Sequence, residues 1–122
     1  MEMAGTGVRQ YRWDEIALEK VTEMISRKIV TGEREMLAQI YLKKGAIVPL
    51  HDHEAEQMTY ILQGALKFII NGEEIIVREG EVLYIPSRVP HQAEALDDTF
   101  DLDVFSPIRQ DWLDKTDDYL RR

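Results

Sequence analysis

Segments rich in β-branched and aromatic residues recur along this chain at intervals of roughly 8–12 residues, with turn chemistry between them. "ISRKIVT" (25–31) and "EMLAQIYL" (35–42) lie on either side of the turn-like "GERE". "QMTYILQG" and "ALKFIINGEEIIV" follow, and the second carries Asn71-Gly72, the strongest short hairpin signal. "VLYIP", "HQAEAL" and "TFDLDVF" complete the series. This spacing predicts an all-β sandwich or barrel. Short antiparallel strands must hide their edges, and about eight of them do so as a two-sheet jelly roll. Such a barrel can hold one small ligand in its mouth, so a cavity is expected before any chemistry is considered. Helix is confined to the ends. "QDWLDKTDDYL" predicts a short C-terminal helix capped by Asp111 and prone to fraying, and residues 1–9 read as a loose N-terminal arm. No linker or repeat interrupts the pattern, so residues 1–122 read as one domain.

Composition removes several classes of function. With no cysteine, disulfides and thiolate metal sites are excluded. The net charge is −8, from 23 acids against 15 bases. Binding to phosphate backbones needs the opposite balance, so neither nucleic acid nor an anionic membrane is an expected partner. The acidic stretches "DDTFDLD" and "DKTDDYL" read as solvated surface with room for one functional member. The N-terminal residues lack the basic and apolar regions of a secretory signal, and no apolar run approaches the ~20 residues that span a bilayer. The expectation is a soluble, cytoplasmic protein.

Two of the three histidines lie in "GAIVPLHDHEAEQ" (45–57). Side chains two apart in a strand share a face, so His51 and His53 aim the same way, close enough for one cation to bridge. By the same parity Gln57 joins that face and Glu56 points away. A polar surface loop is the plain alternative for His-Asp-His alone. Two further features favour a site. His91 follows another strand-to-turn segment, "IPSRVP", and glycines stand in register with both clusters: Gly45 before His51, Gly64 after Gln57, Gly80 before Pro86.

These two spaced motifs resemble those of the cupins. The first reads Gly45, "AIVPL", His51-Asp52-His53, "EAE", Gln57, "MTYILQ", Gly64; the second reads Gly80, "EVLYI", Pro86-Ser87-Arg88, "VP", His91, "QAE", Ala95. The resemblance covers about residues 34–105 and implies a double-stranded β-helix, or jelly-roll barrel. It also implies one divalent transition metal (Ni, Zn, Fe, Mn or Co) on His51, His53, Gln57 and His91. Gln57 stands where the family has an acid, Arg88 where it has a glycine and Ala95 where it has an asparagine. With four neutral ligands the ion keeps its full charge, which favours a small anionic substrate. On charge alone, Gln57→Glu is expected to tighten the metal.

"TFDLDVFSPIR" (99–109) alternates cleanly, with Phe100, Leu102 and Val104 on one face and Asp101, Asp103 and Phe105 on the other. An edge strand would bury the apolar face and solvate the acids. If the other face lines the barrel mouth, then Asp103, Phe105 and nearby Arg109 converge on the cavity, where a bidentate guanidinium suits a carboxylate. "MLAQIYLKKGAIVPLHDHEAEQMTYILQG" together with "LDVFSPIRQDWL" resembles the KdgF-type single-domain cupins associated with pectin and alginate breakdown. That resemblance implies catalytic roles for Asp103, Phe105 and Arg109 and a 4,5-unsaturated uronate as substrate, linearised to the 4-deoxy-5-keto acid. Another metal cupin, such as a dioxygenase or a lyase of a small organic acid, and a non-catalytic ligand-binding cupin are the alternatives. A homodimer is expected, because Trp13, Ile16 and Leu18 precede the core strands and need a covering surface, and related cupins pair through such a segment.

Overall fold

The computed structural model describes residues 2–3 and 5–121. A short ribbon pairs β1 (Glu2–Met3) with β2 (Val8–Arg9), where the sequence suggested a loose arm. Ten further strands follow: β3 (Glu19–Lys20), β4 (Ile25–Thr31), β5 (Met36–Leu42), β6 (Ile47–His51), β7 (Glu56–Gln63), β8 (Ala65–Ile70), β9 (Glu73–Arg78), β10 (Val82–Ile85), β11 (His91–Ala95) and β12 (Thr99–Ser106). They form a six-stranded sheet, β10-β7-β12-β5-β4-β3, and a four-stranded sheet, β6-β11-β8-β9, with every pairing antiparallel. This is the expected all-β jelly roll.

Alternation places the core between the sheets. In β5, Met36, Ala38, Ile40 and Leu42 are buried while Leu37 and Tyr41 face out. Leu66, Phe68 and Val77 meet them from the smaller sheet. The β8–β9 hairpin turns on Asn71 and Gly72 at φ 52° and 78°, the left-handed pair that matches the twist of its strands.

Strand β12 departs from the simplest expectation. It lies inside the six-stranded sheet, between β7 and β5, and its buried face is the one carrying the acids. Asp101, Asp103 and Asp117 are all buried, which corrects the reading of both acidic stretches as solvated surface. The C-terminal segment also differs from a single frayed helix. It forms two one-turn helices, α1 (Gln110–Leu113) and α2 (Asp118–Arg121), and Asp111 lies in the first turn of α1 rather than capping it. The segment is anchored. Fully buried Arg27 donates to Asp117 at 2.8 Å and Glu19 at 2.9 Å and stacks on Trp112 at 4.3 Å, while Arg121 bonds both acids.

Candidate metal centre

His51 ends β6 and His91 begins β11, and the two are paired across the ladder. His53 lies in the loop before β7, beyond the strand parity that suggested it, yet its ring turns to the same place. Ring centroids are 4.3 Å apart for His51–His91, 5.1 Å for His53–His91 and 5.5 Å for His51–His53. One nitrogen from each ring lies within 4.8 Å of the others.

Each Nδ1 faces a backbone carbonyl: His51 to Pro49 at 2.7 Å, His53 to Ala55 at 2.7 Å and His91 to Val89 at 2.8 Å. A carbonyl only accepts, so each Nδ1 carries the proton and each Nε2 keeps a lone pair. Burial pushes His51 down to about 3 and His53 to about 4, and it lowers His91 as well, so the rings are neutral at physiological pH.

Gln57 adds a fourth donor. Its Nε2 donates to Thr59 Oγ1 at 2.8 Å, which leaves Oε1 facing His53 Nε2 at 3.1 Å. Two lone pairs at that separation repel, and a cation bound by both removes the conflict. This donor set of three imidazoles and an amide oxygen fits a divalent transition metal. Glu56 points away, exposed, and accepts from Tyr84 at 2.9 Å.

The family whose description is "Cupin domain" matches residues 38–106. The chain belongs to the cupin family. It is 31% identical over 103 residues to the pectin degradation protein KdgF of Dickeya dadantii, covering 82% of this chain and 94% of that one. The structure of KdgF from Halomonas sp. superposes with a TM-score of 0.76 at 33% identity, covering 81% of this chain and 94% of the other. An oxalate-binding protein of Thermotoga maritima is 29% identical over 90 residues, 73% of this chain and 74% of that protein.

In this cupin the candidate ligands open onto a cavity of about 50 Å³, lined by His51, Gln57 and His91 with Thr59, Asp101, Asp103 and Arg109. The β7–β12 register puts Thr59 opposite Asp103 and Gln57 opposite Phe105. Asp103 Oδ1 accepts from Thr59 at 2.7 Å, and Asp103 is also bonded to Asp101. Burial raises Asp103 to about 6, against the opposing bonds from Thr59 and Asp101 and the Arg109 charge. Asp101 is raised well above the usual range by burial and by the charge of Asp103, so it holds the proton of the pair.

Arg109 does not present the expected bidentate edge to the cavity. Its Nε and Nη2 grip Asp111 at 3.1 and 2.9 Å and Nη2 also donates to Tyr119, which leaves buried Nη1 without a partner. Phe105 is not among the cavity-lining residues. It backs the centre, edge-on to His53 at 5.7 Å and to Trp112 at 5.0 Å. Sequence reasoning missed Thr59, Asp101, Trp112 and Tyr119. Thr59 and Asp101 share the inward parity of Gln57 and Asp103, which was a usable signal. Tyr119, stacked on His51 at 4.1 Å, arrives through the C-terminal anchor and had none.

Proposed function

We propose that this cupin linearises 4,5-unsaturated uronates to the 4-deoxy-5-keto acid at one divalent ion held by His51, His53, Gln57 and His91. The observation that carries this reading is a buried acid, Asp103, sharing one cavity with the ligand cluster and with the free Nη1 edge of Arg109. Similarity to KdgF, a pectin degradation protein, supports the substrate class. A divalent ion bound there supplies Lewis acidity toward the oxygens of the sugar.

The reaction is an isomerisation. The C1 hydroxyl loses a proton as the bond between C1 and the ring oxygen breaks, and C4 gains one as the resulting enol becomes the 5-ketone. Asp103 carries the proton between these positions, and its raised pKa keeps exchange close to neutrality. Arg109 holds the substrate carboxylate through Nη1, its other edge being fixed by Asp111. Phe105 keeps His53 in place. The protein loaded with metal is expected to consume unsaturated galacturonate, with loss of the conjugated-ene absorbance. Asp103→Asn is expected to retain metal and lower turnover by roughly two to four orders of magnitude. Equal turnover in the variant ends the role of Asp103, and an inert wild type ends the reading.

One observation favours a second reading. A cavity of about 50 Å³ is small beside the roughly 300–1,000 Å³ of typical small-molecule sites and is tight for a hexuronate. A smaller dicarboxylate, as for the relative named for oxalate binding, demands less. Calorimetric binding of oxalate without turnover identifies that case. The proposed assembly is a homodimer.

A further inference from the structure

Hydrogen-bond donation runs in one direction, from Gln57 through Thr59 to Asp103. A threonine hydroxyl has one proton and can accept twice. Thr59 Oγ1 lies 2.8 Å from Gln57 Nε2 and 2.7 Å from Asp103 Oδ1. The amide nitrogen only donates, so Thr59 accepts there and gives its single proton to Asp103. Gln57 is thereby held with Oε1 toward His53 Nε2. Turned end for end, the amide has nearly the same shape, but it would offer the ion N–H groups instead of a lone pair. Gln57, Thr59 and Asp103 are 6%, 1% and 5% exposed, so water does not substitute for these bonds.

We propose that Thr59 is the positioning residue that orients Gln57 toward the ion and, with Asp103 beside it, makes position 57 require an amide instead of a carboxylate. The proposal rests on the metal reading above. It reverses the expectation from charge counting. A carboxylate at 57 has no N–H to give Thr59, and acids at 57 and 103 would compete for one hydroxyl proton. Asp103→Asn removes the competition, because its new NH₂ donates to Thr59 and frees the hydroxyl for the other side. An acid at 57 and an acid at 103 are therefore mutually exclusive around Thr59.

Two measurements on the full-length protein test this. In Ni²⁺ titration calorimetry, Thr59→Val is expected to lose about tenfold to a hundredfold in affinity, and Thr59→Ser to stay near wild type. Gln57→Glu alone is expected not to tighten Ni²⁺, whereas Gln57→Glu with Asp103→Asn does. In NMR spectra of metal-free protein, the Gln57 side-chain amide protons are expected to exchange slowly in wild type and Thr59→Ser, and fast in Thr59→Val. The proposal is overturned by Thr59→Val binding within about twofold of wild type, or by Gln57→Glu tightening Ni²⁺ as much alone as in the pair. The paired variants leave position 59 untouched and decide the matter even if the valine variant does not fold. A wild type that takes up no Ni²⁺ fails the metal reading itself, a result distinct from normal wild-type uptake with an indifferent valine variant.

Discussion

Asp101 folds with a proton that the unfolded chain does not carry at neutral pH, because burial and the neighbouring Asp103 raise its pKa. A raised folded pKa sets the sign of the linkage. The stability tied to this proton is complete below the ordinary aspartate value of 3.8 and is lost as pH climbs above it. The histidines act oppositely, since their lowered values give stability above 6.5 that is lost as pH falls toward about 4 for His53 and about 3 for His51. Asparagine offers Asp103 the same kind of donor without drawing a proton from solvent. Asp101→Asn is therefore expected to raise stability at pH 7 and to flatten its dependence on pH above 3.8. Denaturant unfolding of the metal-free protein at several pH values reads both effects. A variant less stable than wild type at pH 7 would contradict the assignment of the proton to Asp101.

Two turns of the cupin motifs are held by opposite means. Gly64, between β7 and β8, has φ 91°, and a Cβ there would lie 2.4 Å from the Asp98 carbonyl oxygen and 2.8 Å from Thr99 Cα. Backbone cannot step aside as a side chain would, so Gly64→Ala is expected to cost roughly 2–4 kcal/mol. Arg88 takes φ 64° at a position where glycine would be unstrained, and its N–H still donates to the His53 carbonyl at 2.8 Å. Its side chain adds only an exposed ion pair with Asp52, which is worth little. Arg88→Gly is expected to stabilise the fold by about 1 kcal/mol. Thermal or denaturant melts of the two variants check both signs, and a destabilised Arg88→Gly would show that the arginine holds the loop carrying His53.

The molecule as a whole buries one face of its larger sheet and leaves an apolar stripe on the other. Leu37, Met58, Tyr60, Val82 and Tyr84 are each 37–58% exposed, and the strand register sets them side by side with Leu102 and Val104. A contiguous stripe of this kind marks an interaction surface. It supports the homodimer more directly than the N-terminal segment, of which Leu18 remains exposed. Met58→Asp together with Tyr60→Lys is expected to convert a dimer to a folded monomer in light scattering. A monomeric wild type refutes the assembly. At the opposite face the C-terminal segment closes the barrel through Arg27 and Asp117 and lays Tyr119 on His51.

What the sequence by itself determined was whatever local periodicity and spacing encode. The strand series and the Asn71-Gly72 hairpin follow from alternation and turn chemistry, because a side chain's face depends only on its own strand. The grouping of His51, His53, Gln57 and His91 follows from the spacing of the two cupin motifs, although His53 lies in a loop that strand parity does not govern. Which face of β12 is buried depends on its neighbours, and only the tertiary structure decided it. Placed between β7 and β5, the strand turns Asp101 and Asp103 inward to line the cavity, where Thr59 donates to Asp103. The grip of Asp111 on Arg109 and the closure by Tyr119 were equally out of reach of the sequence. They rest on the contact between Arg27 and Asp117, 90 residues apart, and no local pattern records a pairing at that distance along the chain.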